Sequence, residues 1–142
     1  MKIIAYGSLM NQASLESMVN RPAPLSKIVI PGWRRAFDAA FDPYAFMNLK
    51  PAPDRVIEAA YFELDPAEAE LFDEREEGSE LVEVIPGHYA FVWPEPKCRE
   101  LTVLWSYIDF CARAAAELGV NFDIDWPPDV EDDSANPRYP WT

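Results

Sequence analysis

The sequence predicts an α+β domain: a small mixed, mostly antiparallel β-barrel with two or three flanking helices. Strand-like segments outnumber helical ones, and they follow the order strand, helix, several strands, helix, hairpin, helix instead of a regular βαβ alternation. The chain has 142 residues, 49% of them hydrophobic, enough for one buried core without staples. Residues 1–125 are expected to form this domain and residues 126–142 an acidic, proline-rich tail.

The opening run over 2–6 is apolar and β-compatible and is closed by Gly7, which predicts the first strand. A helix over 11–19 follows, with Asn11 as N-cap and Leu15, Met18 and Val19 at spacings of three and four. The segment RPAP at 21–24 ends it. Residues 27–37 read as a strand interrupted at Pro31-Gly32 by a bulge or corner. Strands over 46–49 and 55–64 come next, separated by a turn at 51–54. Asp65, Pro66 and Glu68 make a capping box for a helix that runs through AEAELFDERE and stops by Gly78. Strands over 80–85 and 88–93 are joined at Pro86-Gly87 as a hairpin. The last helix is expected from about Thr102 to Gly119, with an apolar stripe of Leu104, Ile108, Cys111, Ala112 and Ala115. Beyond Trp126, four prolines among Asp and Glu permit no regular element. Two states stay open for this tail: a frayed acidic end, or an extended arm whose Trp126, Tyr139 and Trp141 dock on the body.

Charge and composition exclude several function classes. Twelve Lys and Arg against 25 Asp and Glu give a formal net charge of -13, which repels nucleic-acid phosphates and anionic membranes. No apolar stretch suits a signal peptide or a membrane span, and a cytoplasmic location is expected. Cys98 and Cys111 make no disulfide framework and read as free thiols. The lone histidine, His88, leaves no paired His/Cys spacing that reads as a zinc site, and nothing near it marks a nucleophile elbow.

Three clusters carry possible chemistry. Tyr6-Gly7-Ser8-Leu9-Met10 sits where a buried strand meets a helix, and its backbone N–H groups from Gly7 to Met10 suit an anion or an oxyanion. The acidic run 73–77 reads as a solvated face, except that Glu76 continues the stripe of Ala69 and Phe72. A carboxyl on that inner side is partly desolvated, and its pKa rises toward the range of a general acid or base. In Gly32-Trp33-Arg34-Arg35-Ala36-Phe37, alternation puts Trp33, Arg35 and Phe37 on one face and Arg34 on the other. An arginine there pairs with an acidic neighbour or faces a substrate carboxylate; structural pairing is preferred, and both stay open.

Taken in order, AYGSLM, GWRRAF, MNLKPAPDRVIEAAYFEL, LFDEREEGSELVEV and WSYIDFCARAAAELG resemble the gamma-glutamylcyclotransferase family over roughly residues 3–120. The resemblance implies a small mixed barrel and a cofactor-free reaction on a small-molecule gamma-glutamyl substrate. In it, the glutamyl α-amine attacks its own γ-carbonyl and releases 5-oxoproline and an amine or peptide. It implies that Tyr6, Gly7, Ser8 and Leu9 cradle the glutamyl group and that Glu76, three residues after Asp73, is the general acid/base. Glu77 is the runner-up. The chain departs from the pattern at Ala59-Ala60, where the family has Gly, and at Ser79 and Leu81, where it has Tyr and Arg. Those departures leave the far end of the substrate open, glutathione included. The alternative is a non-catalytic small-molecule binding member of the same fold.

Overall fold

The computed structural model of the chain describes residues 1–94 and 101–140, so Cys98 and Trp141 lie outside the described residues. Strand β1 (Lys2–Ala5) alternates its side chains across the sheet: Ile4 faces one core cluster, while Ile3 and Ala5 face the other. A 3-10 turn over Ser8–Met10 leads into helix α1 (Gln12–Val19), whose Asn11 cap accepts from the Ser14 N–H at 2.9 Å. The helix is closed by Asn20 in the left-handed region (φ 54°), ahead of the proline segment.

Strands β2 (Ser26–Phe41) and β3 (Tyr44–Glu63) form one long antiparallel ribbon. The turn expected at 51–54 is not there. Val56 pairs with Pro31 and Pro51 with Trp33, so residues 52–55 bulge opposite Gly32, which takes a φ of 85°. Both proline-rich interruptions are therefore the same corner seen from its two strands. Turn chemistry bends a ribbon here instead of ending a strand.

The segment after β3 has the expected capping box at Asp65 and Glu68, but it is a 3-10 helix over Pro66–Phe72. Phe72 is its one buried residue, stacked between Phe62 and Phe91 at centroid distances of 6.2 and 5.5 Å. A single anchor gives no continuous apolar stripe to hold a longer α-helix, and the segment stays in tight i→i−3 turns. Strands β4 (Glu80–Ile85) and β5 (His88–Val92) follow as the expected hairpin. Asn48, itself buried, extends β5 by one residue: its side-chain amide exchanges two hydrogen bonds with the Trp93 backbone at 2.9 and 3.0 Å.

The last helix starts later than expected. Val103–Leu104 (β6) pairs in parallel with Val130–Glu131 (β7), and helix α2 spans Trp105–Glu117. No side chain next to its start caps it. Asp133 does so from 27 residues further on, accepting from the Ser106 N–H at 2.8 Å and the Ser106 hydroxyl at 2.6 Å. The stretch 130–139 is thus tied to the start of α2. Trp126 stays 64% exposed, whereas Tyr139 packs edge-on against Tyr107 and Phe110 at 5.0 and 5.1 Å.

The main sheet has the order β2-β3-β1-β5-β4, antiparallel except for the β1–β5 pair. It is mixed and mostly antiparallel, as expected, but no ladder joins its edges β2 and β4 among the described residues, so the barrel is not closed. The indole N–H of Trp33 on β2 donates to the Val84 carbonyl on β4 at 3.1 Å, a side-chain bridge where a closed barrel would have backbone bonds. Two core clusters flank the sheet, and α2 feeds both, Tyr107, Ile108 and Cys111 on one side and Ala114 and Ala115 on the other. No helix among the described residues is long and apolar enough to cross a membrane.

Candidate functional site

The end of β1, the loop after it and the end of the 3-10 segment open onto one cavity of about 750 Å³. Tyr6, Gly7, Ser8 and Leu9 line it, and so do Glu76 and Glu77.

On the loop side, Tyr6 turns its ring inward, and its hydroxyl donates to the Phe91 carbonyl at 2.5 Å. Burial, and then the nearby charges of Glu76 and Asp38, hold that phenol well above its usual range, so it remains protonated. At Gly7 the backbone passes close to its neighbours: a Cβ there would lie 3.2 Å from both Met47 Cβ and the Tyr107 hydroxyl. Glycine is favoured there by that close approach, not by a positive φ. The four amides expected to be free are reduced by one, because the Met10 N–H donates to the Gly7 carbonyl at 3.0 Å. A 3-10 turn makes this bond by its own geometry. The bonds formed among the described residues leave the Gly7, Ser8 and Leu9 N–H groups without a protein acceptor.

On the acid side, the Glu76 N–H donates to the Phe72 carbonyl at 2.8 Å, an i→i−4 bond. This one α-turn, set beyond the 3-10 helix, keeps Glu76 on the side of buried Phe72, as the four-residue spacing requires. The Glu76 side chain is 10% exposed. Burial pushes its carboxyl up from 4.5 to about 7, and the Arg75 charge pulls weakly the other way. Glu77 stands at the rim as an exposed residue whose carbonyl accepts the Trp93 indole N–H at 3.0 Å.

Arg75 links the two sides. Its Nη2 donates to the Ser8 hydroxyl at 2.5 Å, and its Nε lies 3.7 Å from Glu76 Oε1. From the C-terminal arm, Tyr139 also hydrogen-bonds with the Ser8 side chain, and Tyr139 and Pro140 form part of the wall. Sequence reasoning missed Arg75, Trp93 and Tyr139 as wall residues, because each reaches the cavity through a partner distant in the chain. The Arg34-Arg35 pair is divided: Arg34 binds Asp125 at 2.6 Å, and Arg35 is buried behind the loop, outside the cavity lining. Cys111 is buried and its thiol is pushed up to about 12, which leaves it inert as a nucleophile near neutral pH. Among the described residues no cluster of His, Cys, Asp and Glu has the arrangement of a metal site.

Such an arrangement can take a proton at one end and hold a negative oxygen at the other, across a space large enough for a small molecule. No family model matches the sequence, and no curated protein does. Solved structures do match the fold. One named gamma-glutamyl cyclotransferase aligns at a TM-score of 0.67 with 11% identity, over 95% of this chain and 95% of its own. An uncharacterized protein from Homo sapiens aligns at 0.63 with 12% identity, again over 95% of both chains. YkqA from Bacillus subtilis aligns at 0.67 with 12% identity over 82% of this chain; the match spans 48% of YkqA, about half its length. The chain therefore has the gamma-glutamyl cyclotransferase fold.

Proposed function

We propose that this chain, having that fold, is a gamma-glutamyl cyclotransferase-type enzyme with Glu76 as its general acid/base. The supporting observation is a carboxyl held near neutrality in the same cavity as unpaired backbone amides. With a pKa of about 7, Glu76 is divided between base and acid at neutral pH, which suits a group that must both take and return one proton. The substrate bends so that its α-amine meets its own γ-carbonyl carbon. Glu76 removes a proton as the new N–C bond forms, and the carbonyl electron pair moves onto oxygen. The amides of Gly7, Ser8 and Leu9 hold the glutamyl group and that oxyanion. When the oxyanion collapses, the bond to the leaving nitrogen breaks and Glu76 returns the proton to it. The products are 5-oxoproline and a free amine or peptide, and every atom is accounted for without a cofactor.

The test is to incubate the protein with a panel of gamma-glutamyl amines and dipeptides, glutathione among them, and assay 5-oxoproline. Turnover of at least one, abolished in Glu76→Gln with ligand binding kept, is the expected result. Binding without turnover in the native protein, or turnover unchanged by Glu76→Gln, overturns it.

A further inference from the structure

Arg35 is the bulkiest of the side chains buried below 2% exposure, and its own exposure is 0%. It is not held by a counter-ion: among the described residues no ion pair joins it to a carboxylate. Its donors go to main-chain oxygens instead, Nε to Tyr6 at 2.7 Å, Nη2 to Glu58 at 2.6 Å and Nη1 to Asp123 at 3.4 Å, with the guanidinium over the Phe122 ring at 5.2 Å. Burial lowers its pKa to about 10, so it is still a cation at neutral pH. A cation buried without a direct ion pair, with the Asp123 and Glu58 charges acting on it only from a distance, is costly, and an apolar side chain of similar volume serves packing as well. What only the guanidinium supplies is the direction of the carbonyls it binds.

The Tyr6 carbonyl is the one that matters. Asp42-Pro43 and Tyr139-Pro140 are the cis bonds among the described residues, so the Tyr6-Gly7 peptide is trans. In a trans peptide the C=O and N–H point in opposite directions. Arg35 lies outside the cavity lining, whereas Gly7 is part of it. Tying the carbonyl oxygen back to Arg35 turns the Gly7 N–H away from Arg35, and no protein acceptor among the described residues takes it. A cation on the oxygen also polarises the peptide and strengthens that N–H as a donor.

We propose that Arg35 is a positioning residue: it locks the Tyr6-Gly7 peptide so that the Gly7 N–H is presented, already oriented, to the developing oxyanion. The inference rests on the proposed cyclisation and adds a part to it. It also gives Arg34 and Arg35 separate work. The first pairs on the surface with Asp125, and the second acts through the backbone of the loop after β1, 29 residues away.

Arg35→Met and Arg35→Lys test it. Removing an oxyanion donor outright costs roughly 10²- to 10³-fold in kcat, so releasing one from its fixed orientation in Arg35→Met is expected to cost about 10- to 100-fold. KM should change by less than kcat, since the larger part of the loss falls on the transition state. Arg35→Lys, with a single charged donor, should fall between. A second readout uses the five glycines of the chain: in 15N-glycine-labelled protein the Gly7 amide is assigned by its loss in Gly7→Ala. In the native protein 5-oxoproline should shift that resonance, and in Arg35→Met the free resonance should move and the response shrink. A residue that served packing alone would alter the melting temperature and leave both kcat and the Gly7 amide unmoved. A folded Arg35→Met with kcat within about 3-fold of native overturns the proposal. So does a Gly7 amide that ignores 5-oxoproline in a native protein that turns over, which decides the matter even if Arg35→Met does not fold. If the native protein neither makes nor binds 5-oxoproline, the proposed cyclisation fails and this inference fails with it.

Discussion

Glu68 and Glu76 stand in one short segment, and the protein drives them in opposite directions. Glu68 closes the capping box on the Asp65 N–H at 3.0 Å and takes a two-pronged bond from Arg21 at 2.7 and 2.8 Å. Those bonds, Arg21 first, hold its carboxyl down at about 2. Glu76, eight residues on, has a single cation at 3.7 Å, and burial carries it to about 7. The first half of the segment uses a charge to fix the chain; the second half keeps a charge poorly satisfied, so that it stays exchangeable. Structural and reactive carboxylates are told apart here by hydrogen-bond supply, not by residue type or position in a charged run.

The largest effect expected from this contrast is on turnover. Glu76→Gln should lower kcat on the order of 10³-fold, while Glu68→Gln should change it by less than about 3-fold; equal losses would dissolve the distinction. Next is stability against pH. A carboxyl raised from 4.5 to about 7 favours the folded state while protonated, and that contribution is lost as pH rises through 7. Above pH 7, Glu76→Gln should therefore be more stable than the native chain by up to about 3 kcal/mol in urea titrations, with the gap closing near pH 4. Asp65→Ala, which removes the cap at the structural end, should cost about 1 kcal/mol and leave the pH profile of kcat/KM unmoved. The smallest effect is a shift. Arg75→Gln withdraws the charge that pulls Glu76 down, so the acid limb of that profile, expected near pH 7, should move upward. A downward move would mean that Arg75 acts on Glu76 by covering it more than by its charge.

Much of this was legible in the sequence where the cause is local. The Asn11 and Asp65 caps, the Pro86-Gly87 hairpin and the inward side of Glu76 follow from spacings of a few residues, and the structure has all of them. The YGS loop lines the cavity, although its Met10 amide is spent on Gly7. What the sequence hid depends on distant partners. Pro51 and Pro53 look like a turn until Pro31-Gly32 is set against them as one shared corner. The α2 boundary is obscured because its cap, Asp133, comes from a stretch that reads as tail. Arg75 looks like part of a solvated run, but its guanidinium lands on Ser8, 67 positions away. No local pattern encodes such pairs.

Asp133 also accepts the Arg138 N–H at 2.8 Å, and the Ser106 hydroxyl it binds in turn accepts the Tyr139 N–H at 3.1 Å. This clasp sets the ring of residue 139 opposite a wall that begins at Ile4, so the chamber is walled by nearly the two ends of the described chain. A protease nick between 126 and 130 would spare every ladder of the five-stranded sheet, since none of its strands lies there. The nicked molecule would keep its spectroscopic signature of folding, and release of the arm would strip Tyr139 and Pro140 from the vessel.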